Sequence, residues 1–210
     1  MWMNSVWQHG LAFRCGEESG FPGRTSQAQT CSERPADPAL GAPQAWGDDR
    51  LNTGHTDAMP YTLRDATLAD HRDLDGVFRR ASLSNENDRG PLLQHSEWLV
   101  LSKDGIREGR MVLVSDDERV VVGFATFLIK DGVAELEDLF VDPEHRRRHI
   151  AELLVLDISR RVRDLGFEIL EVTANPHAMA FYEHMGFVAY GVVETEFYAA
   201  PRMRRRTATP

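Results

Sequence analysis

Three arginines and a histidine, Arg146, Arg147, Arg148 and His149, stand directly ahead of the run IAELLVLDISRRVRDLG. Ile150, Leu153 and Leu154 share one face of that run, the signature of an amphipathic helix. A helix N-terminus already carries partial positive charge and unpaired N–H groups, so acidic residues are preferred there. Here Glu144 and Glu152 offset the basic cluster only in part. A bound polyanion would resolve the conflict: backbone N–H groups and the helix dipole converge on one phosphate, and arginines add charge-assisted hydrogen bonds. A solvated basic face that binds nothing specific is the other reading, and the cluster alone does not choose between them. A second group is the carboxylate-rich stretch ELEDLFV, residues 135–141. Strand alternation puts Glu135 and Glu137 on one side and Leu136 and Asp138 on the other. Three carboxylates on a largely buried strand are costly unless they have a task or a partner on a neighbouring strand.

These groups need elements to hold them. YTLRDAT reads as a strand and ADHRDLDGVFRRASL as a helix with Leu74, Val77, Phe78 and Ala81 on one stripe. SNENDRG reads as a loop, and PLLQHSEWLVLSK as a second helix opening on Pro91. Residues 111–142 read as a three-strand meander with turns at 115–118 and 130–132. The basic helix follows and ends at Leu165-Gly166, then FEILEVTA is an apolar strand. Asn175-Pro176 forms an N-cap and first-turn pair for a short helix through Met185, and two strands near FVAYGVV and TEFYAAPRM complete the series. The order β-α-α-β-β-β-α-β-α-β-β predicts a single α/β (α+β) domain with a mixed sheet.

The chain has 210 residues and a net charge of −9, which disfavours general binding to nucleic acid or anionic membranes. No apolar run approaches the ~18 residues of a membrane span. Residues 1–58 are rich in Gly, Pro, Ser, Thr, Gln and Ala without periodicity; they read as a disordered tail or an upstream extension, with the domain beginning at Met59. Cys15 and Cys31 both fall there, so neither a metal site nor a disulfide framework is expected. The first residues show no signal-peptide pattern, which makes the cytoplasm the expected location. Arg204 to Pro210 read as a solvated basic tail.

Two blocks resemble the GCN5-related N-acetyltransferase (GNAT) superfamily, over Tyr61 to about Met203. The family's pyrophosphate loop has the pattern Arg/Gln-x-x-Gly-x-Gly/Ala after a strand. Arg146-Arg147-Arg148-His149-Ile150-Ala151, led in by Val141-Asp142-Pro143, is similar at Arg146, Ile150 and Ala151 and departs at His149, where glycine is usual. The block NPHAMAFYEHMGF is similar to a later signature through Asn175, Ala178, Phe181, Tyr182, Gly186 and Phe187.

The resemblance implies a mainly antiparallel mixed sheet flanked by about four helices, with acetyl-CoA as cosubstrate and no metal. It implies transfer of an acetyl group to a primary amine through a tetrahedral adduct. The acceptor would be a small-molecule or protein amine, and a homodimer is compatible with the family. The wording LEDLFV is similar to polyamine-type acetyltransferases and assigns the base to Glu137; Tyr182 would protonate the departing thiolate. Backbone N–H groups of Leu139, Phe140 and Val141 would bind the thioester carbonyl. Arg146 to Glu152 (Arg147, Arg148, His149, Ile150 and Ala151 between them) and Asn175 would hold the cofactor. His149 keeps the N–H donor but adds a side chain that must turn away or touch phosphate, so weakened or repositioned binding is expected. That departure motivates a rival reading, a degenerate fold member that binds coenzyme A or another phosphate ligand without turnover. A protein-interaction module using the basic turn is the third reading. Solvated imidazoles are expected at His145, His177 and His184.

Overall fold

Strand β1 (Tyr61–Asp65) enters a seven-stranded sheet at its edge. The computed structural model describes residues 61–195 and 198–207; the segment expected to be an extension, with Cys15, Cys31 and Met59, lies outside the described residues. After β1 come α1 (His71–Leu83), α2 (Glu86–Gln94) and the short α3 (Asp104–Arg107). The meander is β2 (Met111–Asp116), β3 (Val121–Lys130) and β4 (Val133–Val141). Then follow α4 (Ile150–Asp164), β5 (Ile169–Thr173), α5 (Met179–His184), β6 (Val188–Glu194) and β7 (Ala199–Arg206). The sheet order is β1-β2-β3-β4-β5-β7-β6. Only β4 and β5 run parallel; every other neighbouring pair is antiparallel. This is the mixed α+β sheet that the element order predicts, with the antiparallel majority that the resemblance implies.

Each face of the sheet is covered by helices whose apolar stripes were legible in advance. The α1 residues Leu74, Val77, Phe78 and Ala81 recur at helical spacing and are all buried, in a cluster with Met111, Leu113, Phe124 and Phe140 of the sheet. On the other face α4 buries Ile150, Leu154, Val155, Ile158 and Val162 against Val112, Ala125, Leu136 and Leu139. Each such side chain contributes roughly 1.5–3 kcal/mol of burial, so the α4 stripe holds that helix in place far more firmly than its own propensity does. Its N-terminus sits low on the sheet because residue 123 is glycine. A Cβ there would fall 3.0 Å from Ile150 Cγ2 and 3.0 Å from the Phe140 carbonyl oxygen.

Three local expectations are corrected. The stretch expected to be a loop is helical from Glu86, and Pro91 lies inside α2 instead of opening it. Glu86 and Asp88 suit the positive end of a helix, and Asn85 donates a side-chain hydrogen bond to Asp88, so the first turn forms before the proline is reached. The expected second helix also stops at Gln94; a 3-10 turn at Ser96–Trp98 interrupts its second half, and α3 begins only beyond it. Finally, Arg204, Arg205 and Arg206 are not tail residues. They pair with Glu171, Leu170 and Ile169 as the end of β7.

Candidate functional site

The basic turn does not lead straight into α4. Asp142 opens a 3-10 turn (Pro143–His145) by accepting from the Glu144 N–H at 3.1 Å, and Arg80 of α1 ion-pairs with Asp142 at 2.6 Å. That pair ties the loop to the opposite layer. Beyond it the backbone is left-handed at Arg147 (φ +61°) and again at His149 (φ +58°), the residue that caps α4. A left-handed residue followed by helical ones turns successive N–H groups toward one concavity, an anion-binding arrangement. His149 thus adopts a backbone conformation suited to glycine despite its side chain. The imidazole resolves the steric problem by leaning forward, with Nδ1 2.9 Å from Glu152 Oε1 in the first turn of the helix.

Around this loop lies a cavity of about 630 Å³. Of the residues expected to hold the cofactor, Phe140, Val141, Arg146, Arg147, His149, Ile150, Ala151 and Glu152 line it. Arg147 is exposed and pairs with none of the described residues. Arg146 is partly buried, which lowers its pKa against the opposing pull of Asp142, and it donates to Ser84 Oγ. Arg148 reaches away from the cavity lining to the Tyr61 hydroxyl at 3.4 Å. His145 was expected to be solvated; it lines the cavity and its Nδ1 is buried without a partner among the described residues. His177 and His184 are exposed, as expected.

Next to the cavity the sheet opens. The β4–β5 ladder comprises only Ala134, Glu135 and Leu136 opposite Leu170, Glu171 and Val172, whereas β4 pairs with β3 as far as Val141. From Glu137 to Val141, therefore, β4 has no strand partner on its β5 side among the described residues. Leu139 N–H and its neighbours lie on this stretch. Below the opening, Arg202 of β7 fastens the two strands together: it donates to Glu135 Oε1 and to Glu171 Oε2, each at 2.6 Å. Thr173 Oγ1 donates to the same Glu135 oxygen at 2.8 Å.

The register of β4 contradicts simple alternation. Thr126 pairs with Asp138 and Phe127 with Leu136, so Glu137 is an extra residue, a β-bulge. Leu136 and Leu139, three apart, both point into the α4 core, and Asp138 is carried to the opposite face beside Thr126. Asp138 was not singled out for a role. Asp138 is half-buried, and this partial burial first and the neighbouring Glu137 charge second push its pKa up to about 7, against the counter-pull of Thr126 and Arg110. Glu137 itself is partly exposed, with Arg110 Nη1 3.3 Å from its Oε2. The spacing Leu136-x-x-Leu139 was the available signal, since no regular strand buries both on one face.

Tyr182 of α5 is 0% exposed, packed edge-on to Phe181 and Phe187, and its hydroxyl has no hydrogen-bond partner among the described residues. It does not line the cavity; its neighbour Phe181 does. Burial and then nearby Tyr198 hold the phenol well above its ordinary pKa, so it stays protonated. Tyr198 is itself pushed up to about 12, first by burial and then by Asp88 of α2. Asn175 accepts from the His177 N–H at 3.0 Å, confirming its role as a cap.

A strand opening beside a basic, left-handed loop thus sets unladdered backbone amides next to a group of cations and N–H donors. The family model described as acetyltransferase (GNAT) family matches residues 77–187, more than half of the chain. The chain belongs to the GNAT acetyltransferase family. N-acetyltransferase 8 of Homo sapiens is 37% identical over 92 residues, a match spanning 40% of this chain and 40% of that protein. The fold of this GNAT chain is also similar to a PaiA N-acetyltransferase from Thermoplasma acidophilum solved in complex with coenzyme A. The TM-score is 0.57 at 17% identity, covering 70% of this chain and 98% of that one. A phosphinothricin acetyltransferase from Sinorhizobium meliloti, solved in complex with AcCoA, gives 0.54 at 19% identity, covering 70% and 88%. No group of three or more potential metal-binding side chains occurs among the described residues, and no helix among them is long and apolar enough to cross a membrane.

Proposed function

We propose that this GNAT chain transfers an acetyl group from acetyl-CoA to a primary amine by direct attack. The observation that carries the reading is the juxtaposition of the β4 opening with the basic loop. An acyl-pantetheine arm fits an unpaired strand edge as an added strand does, and a pyrophosphate fits the N–H concavity ahead of α4. The residues present fit such a cosubstrate: Arg147, at the cavity, pairs with none of the described residues, and the buried Tyr182 hydroxyl has no hydrogen-bond partner among them.

Arg146, Arg147 and the 149–151 amides bind the pyrophosphate. Amides from Leu139 to Val141 bind the thioester carbonyl and the charge that develops on its oxygen. Glu137 meets the incoming ammonium and begins its deprotonation, and Tyr182, protonated at neutral pH, supplies the proton to the leaving sulfur. The acceptor is a cationic amine; carboxylates on the bulge favour a small, positively charged one over a neutral peptide.

The rival reading, a binding protein without turnover, draws on His149. The left-handed cap counts against it, because the histidine takes the glycine-like conformation and keeps its N–H in place. Thermal shift with acetyl-CoA and coenzyme A, followed by thiol release over a panel of amines, separates the two. Stabilisation with thiol release supports the transferase; stabilisation without release from any amine supports the sensor; no stabilisation sinks both.

A further inference from the structure

His145 stands one residue ahead of the basic cluster, and both its backbone and its ring are held. Its N–H donates to the Asp142 carbonyl at 2.9 Å, and Asp142 donates its own N–H to the Val122 carbonyl at 2.8 Å while ion-pairing with Arg80. The ring places Nε2 3.9 Å from Asp116 Oδ2, within ion-pair reach, and both side chains are mostly buried. Asp116 is fixed in turn by the connection between β2 and β3. Its Oδ1 accepts the Val120 N–H at 2.8 Å, and its own N–H donates to the Val120 carbonyl at 3.0 Å. Each carboxylate oxygen thus has one neighbour to serve, and for Oδ2 it is the imidazole. The other ring nitrogen, Nδ1, is shut off from solvent and has no partner among the described residues, at a residue that lines the cavity beside Arg146 and Arg147. An idle buried nitrogen is costly, and a packing role alone would be filled better by an apolar ring.

We propose that His145, oriented by Asp116, is a phosphate-binding residue of the cosubstrate cavity. The proposal rests on the acetyl-CoA reading above and adds a contact outside the residues that the motif resemblance implies. The ligand group is a phosphate oxygen of coenzyme A, in its pyrophosphate or on its ribose. With Nε2–H directed at Asp116, Nδ1 donates only when the ring carries a second proton, and a phosphate oxygen on that side favours that form. The other charged groups around the ring do not fill this place. In the β2–β3 connection Asp117, Glu118 and Arg119 are exposed, as is Glu144 in the loop. Arg80 of α1 is committed to Asp142, Arg146 donates to Ser84, and His149 pairs with Glu152. Arg147 and the Nδ1 of His145, on either side of Arg146, remain as side-chain groups of the cavity without partners among the described residues.

The test is calorimetry of coenzyme A and of dephospho-coenzyme A, which lacks the ribose phosphate, on wild type, His145→Phe, Asp116→Asn and the double variant. Melting temperatures of the free proteins control for folding. His145→Phe keeps a ring, removes both nitrogens and should weaken coenzyme A about 10-fold or more. Equal loss for both ligands puts the contact on the pyrophosphate; loss for coenzyme A alone puts it on the ribose phosphate. Asp116→Asn separates orientation from bulk charge. Removing a negative charge beside a polyanion site tightens binding if charge alone matters. A weakening of about threefold or more is expected instead, because the ring loses the group that orients it. In the His145→Phe background Asp116→Asn should weaken binding no further. Between about pH 6 and 9 wild-type affinity should fall as the ring loses its proton, more steeply than in His145→Phe. If His145→Phe melts early, the Asp116→Asn comparison carries the test. A folded His145→Phe within about twofold of wild type, or tighter binding by Asp116→Asn, overturns the proposal and leaves the acetyl-CoA reading standing. Wild type that binds neither ligand overturns both.

Discussion

Asp138 costs this protein stability wherever it is ionised. Its pKa is raised from 3.8 to about 7, so between those values the folded state holds a proton that the unfolded chain has released. Stability then falls as pH rises through that window. Asp138→Asn should leave the melting temperature unchanged near pH 4 and raise it clearly at pH 8, as differential scanning calorimetry would read. Equal melting temperatures at pH 8 would mean that the carboxyl is better solvated than its surroundings imply. Tyr182 makes a parallel case. Its buried hydroxyl, without a partner among the described residues, costs up to about 1–3 kcal/mol. Tyr182→Phe should therefore match or exceed wild type in thermal stability while kcat falls at least tenfold. An unchanged kcat would remove Tyr182 from the chemistry and leave it a core residue.

At the scale of single elements, the cap of α4 and the base of the strand opening carry the interest. His149 at φ +58° is a non-glycine residue in left-handed backbone, held by Glu152. Glycine should relieve about 1 kcal/mol of that strain and match or improve acetyl-CoA affinity, whereas His149→Ala keeps the strain and loses the pair with Glu152. Chemical denaturation should therefore rank glycine above alanine at this position; a large loss of affinity in the glycine variant would show that the imidazole itself touches the ligand. Arg202→Met removes the link between Glu135 and Glu171 and leaves two half-buried carboxylates facing each other. A loss of about 2–3 kcal/mol is expected, read as an earlier urea midpoint. Here the limits of sequence reading are also plain. The stripes of α1 and α4, the cap at Asn175 and the basic loop were legible because each is written in local periodicity or in a short motif. The pairing of Glu135 with Arg202 was not, since 67 residues separate them and only strand order brings them together. The β4 bulge lay between these cases: Leu136 and Leu139 announced it, and strict alternation hid it. The start of α2 was hidden for another reason: Pro91 suits a first helical turn, yet the acidic residues before it already make one.

The whole molecule is acidic, yet its expected ligand is a polyanion. The long-range field therefore opposes the ligand, and binding depends on the local cations at Arg146 and Arg147 together with backbone N–H groups. Coenzyme A at a hundredfold excess over its dissociation constant should stabilise the fold by about 2.7 kcal/mol. For a domain of this size that raises the melting temperature by roughly 5–10 °C. Arg147→Glu should erase most of that shift without changing the melting temperature of the free protein, since Arg147 pairs with none of the described residues. The β4 bulge has one further consequence, and it is genetic. Removing a residue from a central strand ordinarily inverts every side chain beyond the gap. Here Glu137 is the surplus residue, and Leu136 and Asp138 already face consecutive partners on β3, Phe127 and Thr126. An in-frame loss of the Glu137 codon should thus yield a chain with an unbroken β3–β4 ladder and an undisturbed core. That chain would fold and accumulate normally while failing to acetylate, a null allele invisible to any screen for protein abundance.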